Sequence, residues 1–184
     1  MTRSRDNADH YSGSTSASDL ASGTLAAARL PVHSIIQIVQ NDSETQVVNT
    51  TSTWETAVSK EITLSSATNK VLAIGTARGE LRDSGSAYGQ GGIRMRSSSS
   101  GTDQTIDHNP GGDAAEPYGL TGDVRWSFIY TMSYLFEPDY LGAVTIYMEG
   151  RVHNTGNDTM YLNMTGSSGY NTHSQILLME VVAT

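Results

Sequence analysis

Apolar residues along this chain recur mostly at every second position, the spacing of strands that turn one face inward. The strongest run is Trp126, Phe128, Tyr130, Met132, Tyr134 and Phe136, six large side chains on one face of a single extended segment. Val58, Lys60, Ile62 and Leu64 repeat the pattern on a shorter one. Segments 34–40, 45–52, 57–64, 70–78, 91–98, 102–107, 124–136, 142–152, 159–165 and 174–183 read as strands, divided by Ser, Asn, Asp and Gly turns. No stretch reads as a long helix. Six large side chains on one face must be buried, and their simplest home is the inside of a two-sheet sandwich or an interface between subunits. The pattern predicts an all-β head over residues 32–184, an antiparallel β-sandwich of jelly-roll type.

The first 31 residues break this pattern. Residues 1–18 are polar and Ser-rich, with nothing to bury beyond Tyr11. They read as a loose tail, or as an extended arm that orders on a neighbour. Residues 19–31 run Asp-Leu-Ala-Ser-Gly-Thr-Leu-Ala-Ala-Ala-Arg-Leu-Pro. Leu20, Leu25 and Leu30 recur every five residues, which suits neither a helix nor a strand seam. Gly23 interrupts a helix and Pro31 ends one. Two readings stand: a linker with a short Ala-rich helix at 25–29, or a junction in which three copies pack their leucines around an axis. The second predicts a homotrimer, with Leu20, Leu25, Arg29 and Leu30 as its anchor and trimer junction. The chain divides into an N-terminal anchor and junction, 1–31, and a head, 32–184.

Residues 19–31 resemble the Asp-Leu-Ala-x-Gly-Thr-Leu-x-x-x-Arg-Leu-Pro segment of bacteriophage tail-fibre and related virion proteins, with Ala26 where that family often has proline. There the segment joins a particle-bound shaft or anchor to a distal domain. Ser34-Ile35-Ile36-Gln37-Ile38-Val39-Gln40, Asn69-Lys70-Val71-Leu72-Ala73-Ile74 and Ile176-Leu177-Leu178-Met179-Glu180-Val181 are similar to C-terminal β domains of phage structural proteins. The resemblance implies a virion structural protein, assembled in the host cytoplasm and bound to other virion proteins through its N-terminal arm. As a tail-fibre or tail-tip component it would attach the particle to a host-surface glycan or protein. A capsid decoration protein is the alternative within the same class, and an enzyme is the third possibility.

Composition agrees with a displayed β protein. Only 37% of the 184 residues are apolar and 16% charged, and Ser, Thr, Asn and Gly make up the difference. The core this permits is thin, of the kind that neighbouring subunits complete. A net charge of −8 argues against a nucleic-acid partner, since phosphate binding needs a clustered basic face and Arg3, Arg5, Arg94 and Arg96 are sparse. No apolar run approaches the ~20 residues of a membrane helix, so no membrane insertion is expected. No apolar signal-peptide segment is expected either. The chain has no cysteine, which removes disulfides, thiolate metal sites and thiol nucleophiles together. Asn41, Asn49, Asn157 and Asn163 each begin an Asn-x-Ser/Thr triplet and read as chance matches.

Candidate chemistry is sparse. His10, His33, His108, His153 and His173 show no metal-binding spacing. Asp103, Asp107, His108 and Asp113 lack the ligand order of a calcium loop and read as solvated turn residues. No metal, cofactor or catalytic residue is expected. No serine sits in a nucleophile elbow. Glu137 and Asp139 flank Pro138 in a turn, a poor frame for paired catalytic carboxylates. The Gly-rich stretch 85–92 has no P-loop lysine. Tyrosines on loops remain: Tyr88 in 79–90, Tyr118 in 108–123 and Tyr170 beside His173. Each can stack on a sugar and hydrogen-bond through its hydroxyl, or else cap the core. If all ten strands alternate in direction, loops 79–90, 108–123 and 153–158 share an end with the start of the first strand. Loops 137–141 and 166–173 then face outward, which favours Tyr140, Tyr170 and His173 as receptor contacts.

The trimer reading has a direct measurement. Light scattering of the purified protein should return about three chains' mass, and a monomer at micromolar concentration would refute it.

Overall fold

The computed structural model describes residues 30–84, 91–99, 104–108, 124–153, 158–165 and 170–183. In chain order its strands are β1 (Ile35–Ser43), β2 (Val47–Asn49), β3 (Glu55–Thr63), β4 (Lys70–Asp83), β5 (Gly91–Ser98) and β6 (Thr105–His108). They continue with β7 (Val124–Phe136), β8 (Ala143–Val152), β9 (Asp158–Leu162), β10 (Met164–Thr165), β11 (Tyr170–Asn171) and β12 (Ser174–Val181). Among the described residues there is no helix.

Eight of these strands form a roll. In chain order the first pairs with the last (β1–β12), the second with the seventh (β3–β8), the third with the sixth (β4–β7) and the fourth with the fifth (β5–β6), all antiparallel. The chain is thus doubled on itself like one long hairpin. The pairs β12–β4 and β8–β5 then roll that hairpin up. The result is two facing sheets, β1-β12-β4-β7 and β3-β8-β5-β6, which is the jelly roll expected from the sequence. Short strands β9 and β2 extend the first sheet beyond β12, and β10 and β11 form a separate ribbon.

Alternation decides what each strand buries. On β4, Val71, Ala73, Ala77 and Leu81 point inward; on β12, Ile176 and Leu178; on β8, Val144, Ile146, Met148 and Val152. At ~25 cal/mol per Å² of apolar surface removed from water, these rows supply the main drive for folding. Small residues inside the roll make room for large ones. A side chain at Gly75 would collide with Met148 and Met95, and one at Gly150 with Met160. Gly79 is under a harder restriction. There β4 exchanges one neighbour, β12, for another, β9, and a Cβ would fall on the Tyr161 carbonyl oxygen.

The long row on β7 faces inward as expected, opposite Val71, Ala73, Gly75, Ala77, Gly79 and Leu81 of β4. Only Phe136 at its end is fully buried. Trp126, Phe128, Tyr130 and Met132 are half-buried against the core, and Tyr134 is 41% exposed. The reason is position. β7 is an edge strand, and β6, the edge strand of the opposite sheet, has only four residues.

The assumed alternation of ten full strands does not hold, because β2 has three residues and does not reverse the roll. Ile35 pairs with Val181, Val181 with Lys70, and Val71 with Phe136, so the turn at 137–142 shares the end where β1 starts. At the opposite end β4 stops and β7 and β9 begin, with Asp83 paired to Val124 and Asp158. The roots of loops 84–90, 109–123 and 154–157 are therefore far from the leading end. This reverses the expectation for those loops and for 137–141.

A buried acid holds the seam. Glu180, 1% exposed, points inward from β12, and its Oε1 accepts hydrogen bonds from Ser65 N, Ser65 Oγ and Asn69 Nδ2, each at 2.7 Å. The Gln37 amide, turned to donate, reaches Oε2 at 3.3 Å. One carboxyl thereby ties the β3–β4 turn to β12 and β1. Glu180→Ala should cost about 2 kcal/mol, because the buried Asn69 amide loses its acceptor out of reach of water, while the exposed Ser65 can turn to solvent. Glu180→Gln should cost less, since its oxygen still accepts. Urea unfolding midpoints of the two variants check the order.

Candidate functional site

Two outward surfaces gather side chains capable of binding. The first lies on the outer face of β1, β12 and β4. Register places Asp42, Gln175 and Thr76 in one row, with Gln40, Leu177 and Ile74 in the next. Between the rows runs a groove of about 320 Å³, with an apolar floor of Ile74 and Leu177 and a polar rim of Gln40, Asp42, Thr76 and Gln175. At its end His173 sits between two acids, Nδ1 3.5 Å from Asp42 Oδ2 and Nε2 3.4 Å from Glu44 Oε1. The three ligand atoms lie within 4.8 Å of one another, near enough to share one divalent cation. A chain reversal brings them together: β1 runs out through Asp42 to Glu44, and β12 starts beside it at Ser174, opposite Ser43.

The second surface is the outer face of β5 and β8. Arg94 and Arg96 stand two apart on β5, opposite Glu149 and Tyr147 of β8. Arg94 Nε donates to Glu149 Oε2 at 2.6 Å, and Arg96 Nη2 donates to Oε1 at 3.0 Å. The Trp54 ring has the guanidinium groups of both Arg94 and Arg151 at 4.4 Å from its centroid, and Arg96 stacks on Tyr147 at the same distance. Burial of the Glu149 side chain opposes its ionisation. The hydrogen bonds and charges of Arg96 and Arg94 outweigh that and hold its carboxyl below the ordinary carboxylate range. The arginines that looked sparse along the sequence are thus gathered on one face. The signal was there: Arg-x-Arg on one strand and Glu-x-Arg on another place each pair on a single face. What the sequence does not show is that β5 and β8 are neighbours.

Of the residues expected to make contacts, His173 lies at the groove just described. Tyr140 stands in the turn at 137–142, half-buried against the core, and its ring fills the space a side chain at Gly142 would need. Tyr170 begins β11, where only its backbone is described. Tyr88 and Tyr118 lie outside the described residues, as do Leu20, Leu25 and Arg29, while Leu30 is half-buried at the start of the head. The triplet asparagines Asn49 and Asn163 are buried and occupied. Asn49 Nδ2 donates to the carbonyls of Thr53 and Gly150, and Asn163 Nδ2 to those of Thr45 and Ala57.

No protein-family model matches the chain, and no curated protein matches it. A solved structure described as that of the infectious bursal disease virus Gx strain is similar over 80% of this chain and 37% of that one, at 13% identity and a TM-score of 0.36. This chain therefore spans little more than a third of that chain's length, and a likeness of this degree carries no argument about function.

The Glu149 cluster has a pH signature. Its folded-state pKa is depressed, so its contribution is fully present above the unfolded value, near ~4.3, and is lost as pH falls through the folded one. Glu149→Gln should cost about 1–2 kcal/mol at pH 7 and flatten the stability profile below pH ~4.3. Thermal unfolding of both proteins from pH 7 to pH 3 measures it.

Proposed function

We propose that this chain is a structural protein of a virus particle, a phage tail-fibre or tail-tip component that attaches the particle to a host-surface glycan or protein. The carrying observation is a succession. The segment that resembles a fibre junction ends at Pro31, and the jelly-roll head opens at Ile35. An arm, a junction and a compact β head in that order suit a protein that is held at one end and presents the other. In this reading residues 1–18 bind other virion proteins, copies associate as a homotrimer, and no reaction is catalysed. The contact surfaces available to a receptor are the groove at His173, the loops rooted at the far end, which carry Tyr88 and Tyr118, and the arginine-aromatic face. Weak contacts at each gain avidity when several copies are displayed together.

The test is made on particles lacking the protein. Attachment predicts that adsorption to the host falls while heated particles keep their genome. Normal adsorption with leakage on heating or osmotic shock would replace this reading with capsid decoration. If adsorption falls, His173→Ala should weaken binding without moving the melting temperature.

A further inference from the structure

The outer face of the first sheet carries an apolar band one row in from the end where β1 starts, and the end row itself holds Lys70, ion-paired with Glu137. Register places Ile38, Met179, Leu72 and Leu135 in a single row across β1, β12, β4 and β7, all pointing away from the core. Ile38 is 61% exposed, and Ile35, in the preceding row, is 49% exposed. Ile74 and Leu177 follow in the next row, after which the face turns polar through Gln175, Thr76 and Thr131. Scattered apolar residues are normal on a surface, but a contiguous band across four strands is not.

The leading segment of the chain arrives at this band. Ser34 N donates to the Pro31 carbonyl in a tight turn with His33 in the left-handed region (φ 71°), and a turn of this kind reverses the chain. Leu30, half-buried, is thus turned back toward the head at the start of β1. Val181 faces outward by register and lies outside the core cluster, yet is only 8% exposed. Beside it on β1, Ile35 stays exposed.

We propose that residues 19–29 of the same chain lie across this outer face, seating Leu25 and Leu20 on the Ile38–Met179–Leu72–Leu135 row. The reach is sufficient. Five extended residues from Leu30 to Leu25 span ~17 Å, and four strands span ~14 Å. The composition fits: Leu20, Ala21, Leu25, Ala26, Ala27 and Ala28 offer apolar surface with little bulk between the leucines. Because the segment is tethered a few residues away, it docks without the entropy cost of joining separate molecules. This inference concerns the purified chain and does not depend on the attachment reading. It competes with the leucines packing around a trimer axis, which would hold them away from the sheet.

The full chain contains no cysteine, so Ala27→Cys gives a single site for a nitroxide label on methyl-labelled protein. Docking within the chain predicts that the Ile38, Ile74 and Leu135 methyl signals lose most of their intensity while Ile93, at the far end, keeps its own. The loss should persist when labelled chains are diluted tenfold with plain ones. Leu20→Asp with Leu25→Asp should raise binding of a hydrophobic dye at least threefold and leave the melting temperature nearly unchanged. Full-strength Ile38 and Ile74 signals, or dye binding that does not change, would overturn the proposal. Signal loss seen only between different chains would also overturn it, making the face a contact between copies. Neither result touches the adsorption test, so the two readings fail separately.

Discussion

A side chain at Gly79 would have to occupy the place of the Tyr161 carbonyl oxygen, and much of the domain follows from that close approach. β4 serves three neighbours. β7 pairs with it from Val71 to Asp83, while on its other side β12 pairs up to Thr76 and β9 takes over from Gly79. Changing partners on one edge brings two backbones closer than any Cβ allows, and glycine alone meets that demand. The exchange lets a strand of fourteen residues act as the spine of the first sheet. It also sets where β12 can start, and with it where His173 meets Asp42.

The two outer faces solve the problem of exposure differently. On β5 and β8, Arg94, Arg96 and Arg151 lie flat over Trp54 and Tyr147, and Glu149 neutralises part of their charge beneath them. Their aliphatic stems cover the sheet while their charged ends meet water. On β1, β12 and β4 the described residues offer only the Lys70–Glu137 pair at the leading end, and Ile35 and Ile38 face outward exposed. The contrast gives the head a direction: one sheet is finished as a surface and the other is left to be covered.

Much of this was legible in the sequence. The period-two rows of β3 and β7 placed both strands and their inward faces, and the short strands between polar turns led to the roll. The strand count failed at 45–52, where alternation extends beyond the three residues that pair as β2. Pairing depends on which neighbour is present, which a local pattern does not encode. The bare face did leave a trace. Ile35-Ile36-Gln37-Ile38-Val39, Val71-Leu72-Ala73-Ile74 and Ile176-Leu177-Leu178-Met179 are nearly continuous apolar runs, the pattern of strands buried on both sides. The clusters at His173 and Glu149 were hidden for another reason: each joins strands distant in sequence and adjacent only in the roll.

The doubled topology also governs how the head comes into being. β12 lies between β1 and β4, so the first strand made has no partner in its sheet until the last one is available. Such distant pairings make folding slow, because large loops must close before the contacts that repay them can form. During synthesis β1 and its isoleucines wait with an open edge until residues 174–181 leave the ribosome. A chain cut short before that point would lack the strand that joins its two halves and, with it, the Glu180 clamp. The interval between making β1 and making β12 thus sets how long that edge stands unpaired.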